Sequence, residues 1–132
     1  MQGISLITRN KYLIVGLSSL IFMIPHLLNP EPYEYGFFGY ILTLLVLGAA
    51  FGLITLLDGG IELAVGMHAI NNLWLYLIAS TETSVIDGLA LFEVPMEYGF
   101  VPFALFIFYQ LIYIAVLNRK YKWFEWRKLV GV

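Results

Sequence analysis

The chain has 132 residues, of which 61% are hydrophobic and only 12% charged, with a mean hydropathy of +0.85 and a net charge of -2. Soluble globular domains carry about 25% charged residues, so this composition indicates a membrane protein. The absence of cysteine excludes disulfides, zinc-thiolate sites and cysteine nucleophiles. No linker divides the sequence, and we expect residues 1–132 to form a single membrane-embedded domain.

Four apolar stretches are long enough to cross the hydrocarbon core of a bilayer, which takes about 20 residues of helix. They lie at about residues 12–29, 37–57, 61–79 and 100–117. We therefore predict an all-α, polytopic transmembrane bundle of about four spanning helices. The first stretch is too long for the apolar region of a signal peptide, and no cleavage site follows it.

The basic residues lie only at the two ends of the chain, before the first predicted span and after the last. By the positive-inside rule, both termini are predicted to be cytoplasmic in a multi-pass protein, which we expect to lie in a bacterial cytoplasmic membrane. The first and third connections carry acidic residues and no basic ones, which fits the outer side. The "LDGG" turn at Asp58–Gly60 would then be a tight cytoplasmic connection.

Three further segments have plain structural interpretations. The end of the third connection, "VIDGLALFEVPMEYG", is a candidate for a short interfacial helix. The basic and aromatic tail, "NRKYKWFEWRKLV", has the composition of a segment anchored among lipid headgroups, and nothing else in the chain suggests nucleic acid as a partner. "GAAFG", Gly48 to Gly52, suits close helix contact, and we favour packing within the bundle over binding of another protein.

Polar residues lie inside two of the predicted spans, where ionisable groups are rare enough to suggest a functional site. His26 lies in the first span next to Pro25, and "GMHAINNLW" places His68, Asn71 and Asn72 in the third. Residues four apart share a helix face, so Phe22 and His26 form one stripe, and His68 and Asn72 form another. Because a lipid-facing imidazole is costly, both stripes are expected to turn inward and toward each other.

The depth of the two histidines allows them to meet. At 1.5 Å per residue, His26 lies ~22 Å along its helix from Lys11, and His68 lies ~13 Å from Gly59. Pro25 frees the carbonyl of Ile21 and is expected to kink the helix, which would shift His26.

Two histidines are one ligand short of a catalytic zinc site, which takes three protein ligands and a water. The only acidic residue that we place near a span is Glu62, which is expected at the cytoplasmic end. A site built on His26, His68 and Asn72 therefore stays open beside a second interpretation, in which these residues only hydrogen-bond between helices.

The motifs resemble a known family. "SSLIFMIPHLLNP" resembles the F-x-x-x-H motif of the type II CAAX prenyl protease and bacteriocin self-immunity (Abi) family of intramembrane metalloproteases, with Phe22 and His26 in the motif positions. "FGLITLLDGGIELAVGMHAINNL" resembles the later block that ends in H-x-x-x-N, carried here by His68 and Asn72. The resemblance covers roughly residues 1–78.

The resemblance implies an endopeptidase that hydrolyses a peptide or protein, prenylated or not, inside the membrane. His26 and His68 would hold a water, either directly or through a divalent metal with zinc as the first candidate, and Asn72 would stabilise the oxyanion. Phe22, Pro25 and Asn71 would support the site.

The family's E-E-x-x-x-R motif, whose glutamate activates the water, is missing from this chain. In family members its arginine is soon followed by a stretch similar to "MQGISLITRNKYL". We therefore expect an in-frame E-E-x-x-x-R a few codons upstream of Met1, and we expect the 132-residue chain to be inactive. The alternative is a shortened, non-catalytic immunity or scaffold protein. A transporter fragment has less support, because no pair of broken helices forms symmetric halves.

Overall fold

A computed structural model describes residues 1–86, 88–95 and 99–123. The described part is mostly helical, with one small sheet of two parallel strands. In chain order its elements are α1 (Gln2–Ser5), α2 (Lys11–His26), α3 (Glu31–Tyr35), α4 (Phe37–Asp58), α5 (Glu62–Leu77), β1 (Ala79–Ser80), β2 (Phe92–Glu93) and α6 (Phe100–Tyr121).

Two of the four predicted spans have the length and hydropathy to cross a membrane. Helices α4 and α6 have 22 residues each, which gives them a length of ~33 Å. Helices α2 and α5 have only 16 residues each, or ~24 Å, against the ~30 Å of hydrocarbon. The prediction of four spanning helices is therefore supported for α4 and α6 alone.

Helix α2 begins and ends at local signals in the sequence. The Asn10 side chain accepts hydrogen bonds from the backbone N–H groups of Tyr12 and Leu13 at 2.9 and 3.3 Å, which caps its first turn. Beyond His26, residues 27–29 form bonds to carbonyls three residues earlier, a tightening that is common at helix ends. Leu27 and Leu28 are apolar but lie in this turn, so the helix ends before the predicted span does.

Helix α4 is the centre of the bundle and packs against α2, α3, α5 and α6. Its closest approach is to α2. A Cβ on Gly48 would lie 3.0 Å from Cα and Oγ of Ser19, and one on Gly52 would lie 3.2 Å from Oγ of Ser18. The Ser19 hydroxyl donates to the carbonyl of Leu45 at 2.6 Å. The small residues of "GAAFG" therefore pack within the bundle, as predicted.

The outer surfaces of the helices are rich in exposed apolar side chains. Only 6% of the most apolar 18-residue stretch of α6 is buried inside the bundle. Phe100, Leu105 and Phe108 are more than 60% exposed. Exposed apolar surface of this extent is unusual for a soluble monomer, and it is the surface expected of a bundle surrounded by lipid.

The connection between α4 and α5 is as tight as predicted. Gly59 adopts φ +77°, and its N–H bonds to the carbonyl of Thr55, which ends α4. This left-handed conformation favours glycine. Glu62 then lies exposed in the first turn of α5, at this end of the bundle. Trp123 donates from Nε1 to the Asp58 carboxylate at 3.3 Å, whereas residues 124–130 of the predicted anchoring tail lie outside the described residues.

The expected helix in the third connection is wrong for the residues that the structure describes. Among residues 81–86 and 88–95 there is no helix, and Phe92 and Val94 instead bond to the carbonyls of Ile78 and Ser80. Gly88 lies against Tyr76 so closely that a side chain would not fit there. This segment therefore forms backbone hydrogen bonds to Ile78 and Ser80, directly after α5, and does not form the expected helix.

Candidate functional site

The two histidines come together across α2 and α5. Their ring centroids are 6.2 Å apart and the rings are inclined at 73°. His26 is the last residue of α2, whereas His68 lies in the second turn of α5. Both side chains are partly buried. The structure thus brings together the two residues that the sequence placed on inward stripes.

Two phenylalanines support the histidine pair. The Phe22 ring lies 4.6 Å from the His26 ring and 5.4 Å from the His68 ring, between centroids. Phe51 of α4 contacts Phe22 and His68 edge-on, at 5.7 Å from each. The contacts of Phe22 and Phe51 with His68 are edge-to-face, a favoured aromatic geometry, and Phe51 contacts the His68 ring from the side of α4.

The hydrogen bond of His26 determines which of its nitrogens is available. Nδ1 lies 2.8 Å from the carbonyl oxygen of Phe22, and a carbonyl accepts only, so Nδ1 carries the hydrogen. In the neutral imidazole, Nε2 then keeps its lone pair. Pro25 lies within α2, one residue before its end, and contributes to the wall of the cavity described below.

His68 and Asn72 face each other one turn apart on α5. Nδ2 of Asn72 lies 3.4 Å from Nε2 of His68, a long contact for a hydrogen bond. Nδ1 of His68 is buried and has no hydrogen-bond partner among the described residues. A buried polar atom without a partner costs about 1–3 kcal/mol, and such atoms are rare enough to suggest a functional role.

These groups line a cavity of about 390 Å³ between α2, α4 and α5. Its wall also includes Asn71, one residue of α3, four residues of the third connection and one residue of α6. The lining residues are Pro25, His26, Asn29, Glu31, Tyr40, Thr43, Leu44, Leu47, His68, Asn71, Asn72, Leu75, Thr81, Ser84, Val85, Ile86 and Phe106.

A second cavity of about 440 Å³ adjoins the first. The two share Leu47, Asn71 and Phe106 in their walls. Apart from Gln110, the rest of its lining is aromatic and aliphatic: Phe51, Met67, Ile70, Trp74, Tyr109 and Tyr113. Asn71 therefore lies in the wall that the two cavities share.

Glu31 lines the first cavity and was missed by the sequence analysis, which placed only Glu62 near a span. Its side chain is 6% exposed. Oε1 accepts from the Val85 N–H at 2.8 Å, while Oε2 is buried and has no hydrogen-bond partner among the described residues. The available signal was the position of Glu31 five residues after His26.

The described residues do not supply the ligands of a catalytic zinc site. No group of three or more His, Cys, Asp or Glu side chains among them is placed to hold a metal ion. Such a site takes three protein ligands, and the histidine pair offers two. The expected divalent metal therefore does not fit these residues on their own.

Comparison with known families supports the resemblance seen in the motifs. The model of a family described as type II CAAX prenyl endopeptidase Rce1-like matches residues 2–74, more than half of the chain. The matched segment contains His26, His68 and Asn72. No curated protein and no solved structure matches the chain.

Proposed function

The chain belongs to the type II CAAX prenyl endopeptidase Rce1-like family, and from this we propose that His26, His68 and Asn72 form the histidine and asparagine part of an intramembrane endopeptidase site. The observation that carries the proposal is the meeting of the two imidazoles, 6.2 Å apart, in a cavity inside the bundle. Irregular backbone and polar groups at membrane depth are tolerated where they line such a cavity.

In the proposed reaction, a water held by Nε2 of His26 and by His68 attacks the peptide carbonyl. The glutamate of an E-E-x-x-x-R motif, which residues 1–132 lack, takes the proton of this water as general base. An N–H of Asn72 stabilises the oxyanion of the tetrahedral intermediate. The glutamate then gives the proton to the leaving amine as the C–N bond breaks, and it ends the cycle ionised.

No step of this reaction passes through a metal, since the described residues supply only two of the ligands. A bound divalent metal, zinc being the first candidate, would need a further ligand, and the upstream glutamate is the residue we propose for it.

Residues 1–132, reconstituted in proteoliposomes, are expected to leave prenylated and unprenylated CAAX peptides uncleaved, because they do not contain the E-E-x-x-x-R glutamate proposed as general base. A polypeptide that carries E-E-x-x-x-R upstream of residue 1 is expected to cleave them. Mass spectrometry of the peptide products checks both results. Cleavage by the 132-residue chain itself would refute the assigned role of the missing glutamate.

A non-catalytic immunity or scaffold protein of the same family is the second candidate. Unrelated codons or a stop upstream of Met1 would favour it. His26→Ala and His68→Ala separate the two candidates in cells. Loss of the phenotype with the protein still inserted supports the endopeptidase site, whereas an unchanged phenotype supports the scaffold.

Membership of a membrane-embedded family, together with two helices apolar and long enough to span, makes this an integral membrane protein. We propose that α2 and α5 also cross the membrane, with their loops completing the span, and that both termini are cytoplasmic. The absence of basic residues from the first and third connections supports this orientation.

Single cysteines test the orientation cleanly, because the chain has none of its own. Glu82→Cys, in the third connection, is expected to react with a membrane-impermeant maleimide in intact cells. Lys120→Cys, at the end of α6, is expected to react only after permeabilisation. Both positions are exposed, so accessibility within the protein is matched. The reverse labelling pattern would invert the proposed topology.

A further inference from the structure

We propose that Glu31 is a substrate-recognition residue that binds a cationic side chain, an ammonium or guanidinium, of the peptide occupying the first cavity. The inference rests on the proposed function, because it assumes that the cavity takes a peptide. Glu31 lies where α3 and residues 81–86 close the cavity, and we call this region the loop end.

Only one of the two carboxylate oxygens of Glu31 has a hydrogen-bond partner among the described residues. Oε1 accepts from the Val85 N–H, which orients the carboxylate, while Oε2 is buried and has no partner among the described residues. A carboxylate oxygen kept from water and left without a donor is costly. A cationic ligand in the cavity would supply the donor and the charge together.

The residues that the structure describes place no lysine or arginine against this carboxylate. Its basic residues are Arg9 and Lys11 near one end and five residues from Arg119 onward near the other. The connections that form the loop end carry none. Charge complementarity at this position therefore favours a cation supplied by the ligand.

The position of Glu31 along α4 sets its distance from the proposed reaction centre. Glu31 and Tyr40 line the same cavity, whereas His68 lies beside Phe51 of α4. The rise along α4 from Tyr40 to Phe51 is ~16 Å. An extended peptide covers this length in about five residues. Glu31 would therefore recognise a side chain a few residues from the bond held at the histidines.

A purely structural role is the competing explanation. Glu31 and Tyr35 both tie α3 to the third connection, since the Tyr35 hydroxyl accepts from the Thr83 N–H at 2.8 Å. If Glu31 acts only as a clamp, Glu31→Gln should behave as wild type, because its amide oxygen can still accept from Val85. If Glu31 recognises a cation, the same substitution removes the charge that attracts it.

The experiment compares two peptides on the chain in zwitterionic nanodiscs. Dansyl-Leu-Leu-Arg-amide and dansyl-Leu-Leu-citrulline-amide have nearly the same shape and differ in charge, and fluorescence anisotropy gives their dissociation constants. The wild-type chain is expected to bind the arginine peptide at least about tenfold more tightly. Glu31→Gln is expected to abolish this preference. Tyr35→Phe, which loses the other tie, and Glu82→Gln, which loses an exposed charge nearby, are expected to keep it.

Each other result overturns the proposal in a distinct way. Equal binding of the two peptides by the wild-type chain removes the charge recognition and leaves the proposed endopeptidase site untouched. A preference that Glu31→Gln keeps assigns Glu31 to the clamp, and a preference lost in Tyr35→Phe as well assigns it to the packing of the loop end. Loss in Glu82→Gln assigns the preference to general surface charge. Binding of neither peptide removes the assumption that the cavity takes a peptide. Because the wild-type comparison needs no variant, the test stands even if Glu31→Gln fails to fold.

Discussion

Replacing Gly48 by leucine is expected to destabilise the protein by about 3 kcal/mol or more, because the new side chain would occupy the space of α2. A Cβ alone would lie 3.0 Å from the Cα of Ser19 and 3.1 Å from the Phe22 ring. The Ser19 contact is with backbone, so it can be relieved only by moving the whole helix. Denaturant titration in mixed micelles, followed by circular dichroism, measures the loss.

Gly16→Leu is the matched control for Gly48→Leu. Gly16 lies on α2, and a Cβ there would meet nothing within 4 Å. Leucine is a better helix former than glycine by up to about 1 kcal/mol, so this variant is expected to be as stable as wild type or more stable. Equal stability of the two leucine variants would contradict the close packing of α2 on α4.

The second large effect concerns the polar cluster in a polypeptide that carries E-E-x-x-x-R upstream of this chain. His26→Ala and His68→Ala are each expected to lower kcat/KM by about a hundredfold or more, because each imidazole holds the attacking water. Asn72→Ala is expected to lower it by about 10²–10³-fold through loss of an oxyanion donor. Cleavage of a fluorogenic peptide in proteoliposomes gives the rates.

The double variant His26→Ala, His68→Ala tests whether the two histidines act together. Groups that act as a unit are strongly non-additive, so the double variant is expected to be little worse than either single one. Thr55→Ala is the control, because the Thr55 hydroxyl bonds within its own helix to Phe51 and lines neither cavity. Multiplicative losses in the double variant would show that the two histidines act independently.

Some parts of the fold could be predicted because they depend on local sequence. The length and hydropathy of α4 and α6 are visible in any window of 18 or more apolar residues, and the αL conformation of Gly59 follows from "LDGG". The ends of α2 and α5 were missed because hydropathy does not distinguish Leu27 and Leu28 in a turn from the same residues in a helix. Strands β1 and β2, of two residues each, carry no periodicity to detect.

The candidate site likewise has parts that local sequence predicts and parts that it does not. The inward position of His26, His68 and Asn72 could be predicted because an unpaired polar group in a membrane must turn inward, which fixes its direction without knowledge of the fold. Glu31 was missed because a glutamate in a polar connection looks solvated. Its burial depends on Val85, 54 residues later in the chain, and no local pattern signals that contact.

Helix α4 supplies little of the proposed chemistry, yet it sets the positions of the groups that supply it. Gly48 sets how closely α2 approaches, and Phe51 contacts the His68 ring directly. An unbiased genetic screen for loss of function should therefore recover substitutions at glycines and apolar residues of α4 as often as at the histidines. Proteolysis or thermal melting of the recovered variants would separate those in which the helix bundle is destabilised from those that stay folded but lack a residue of the site.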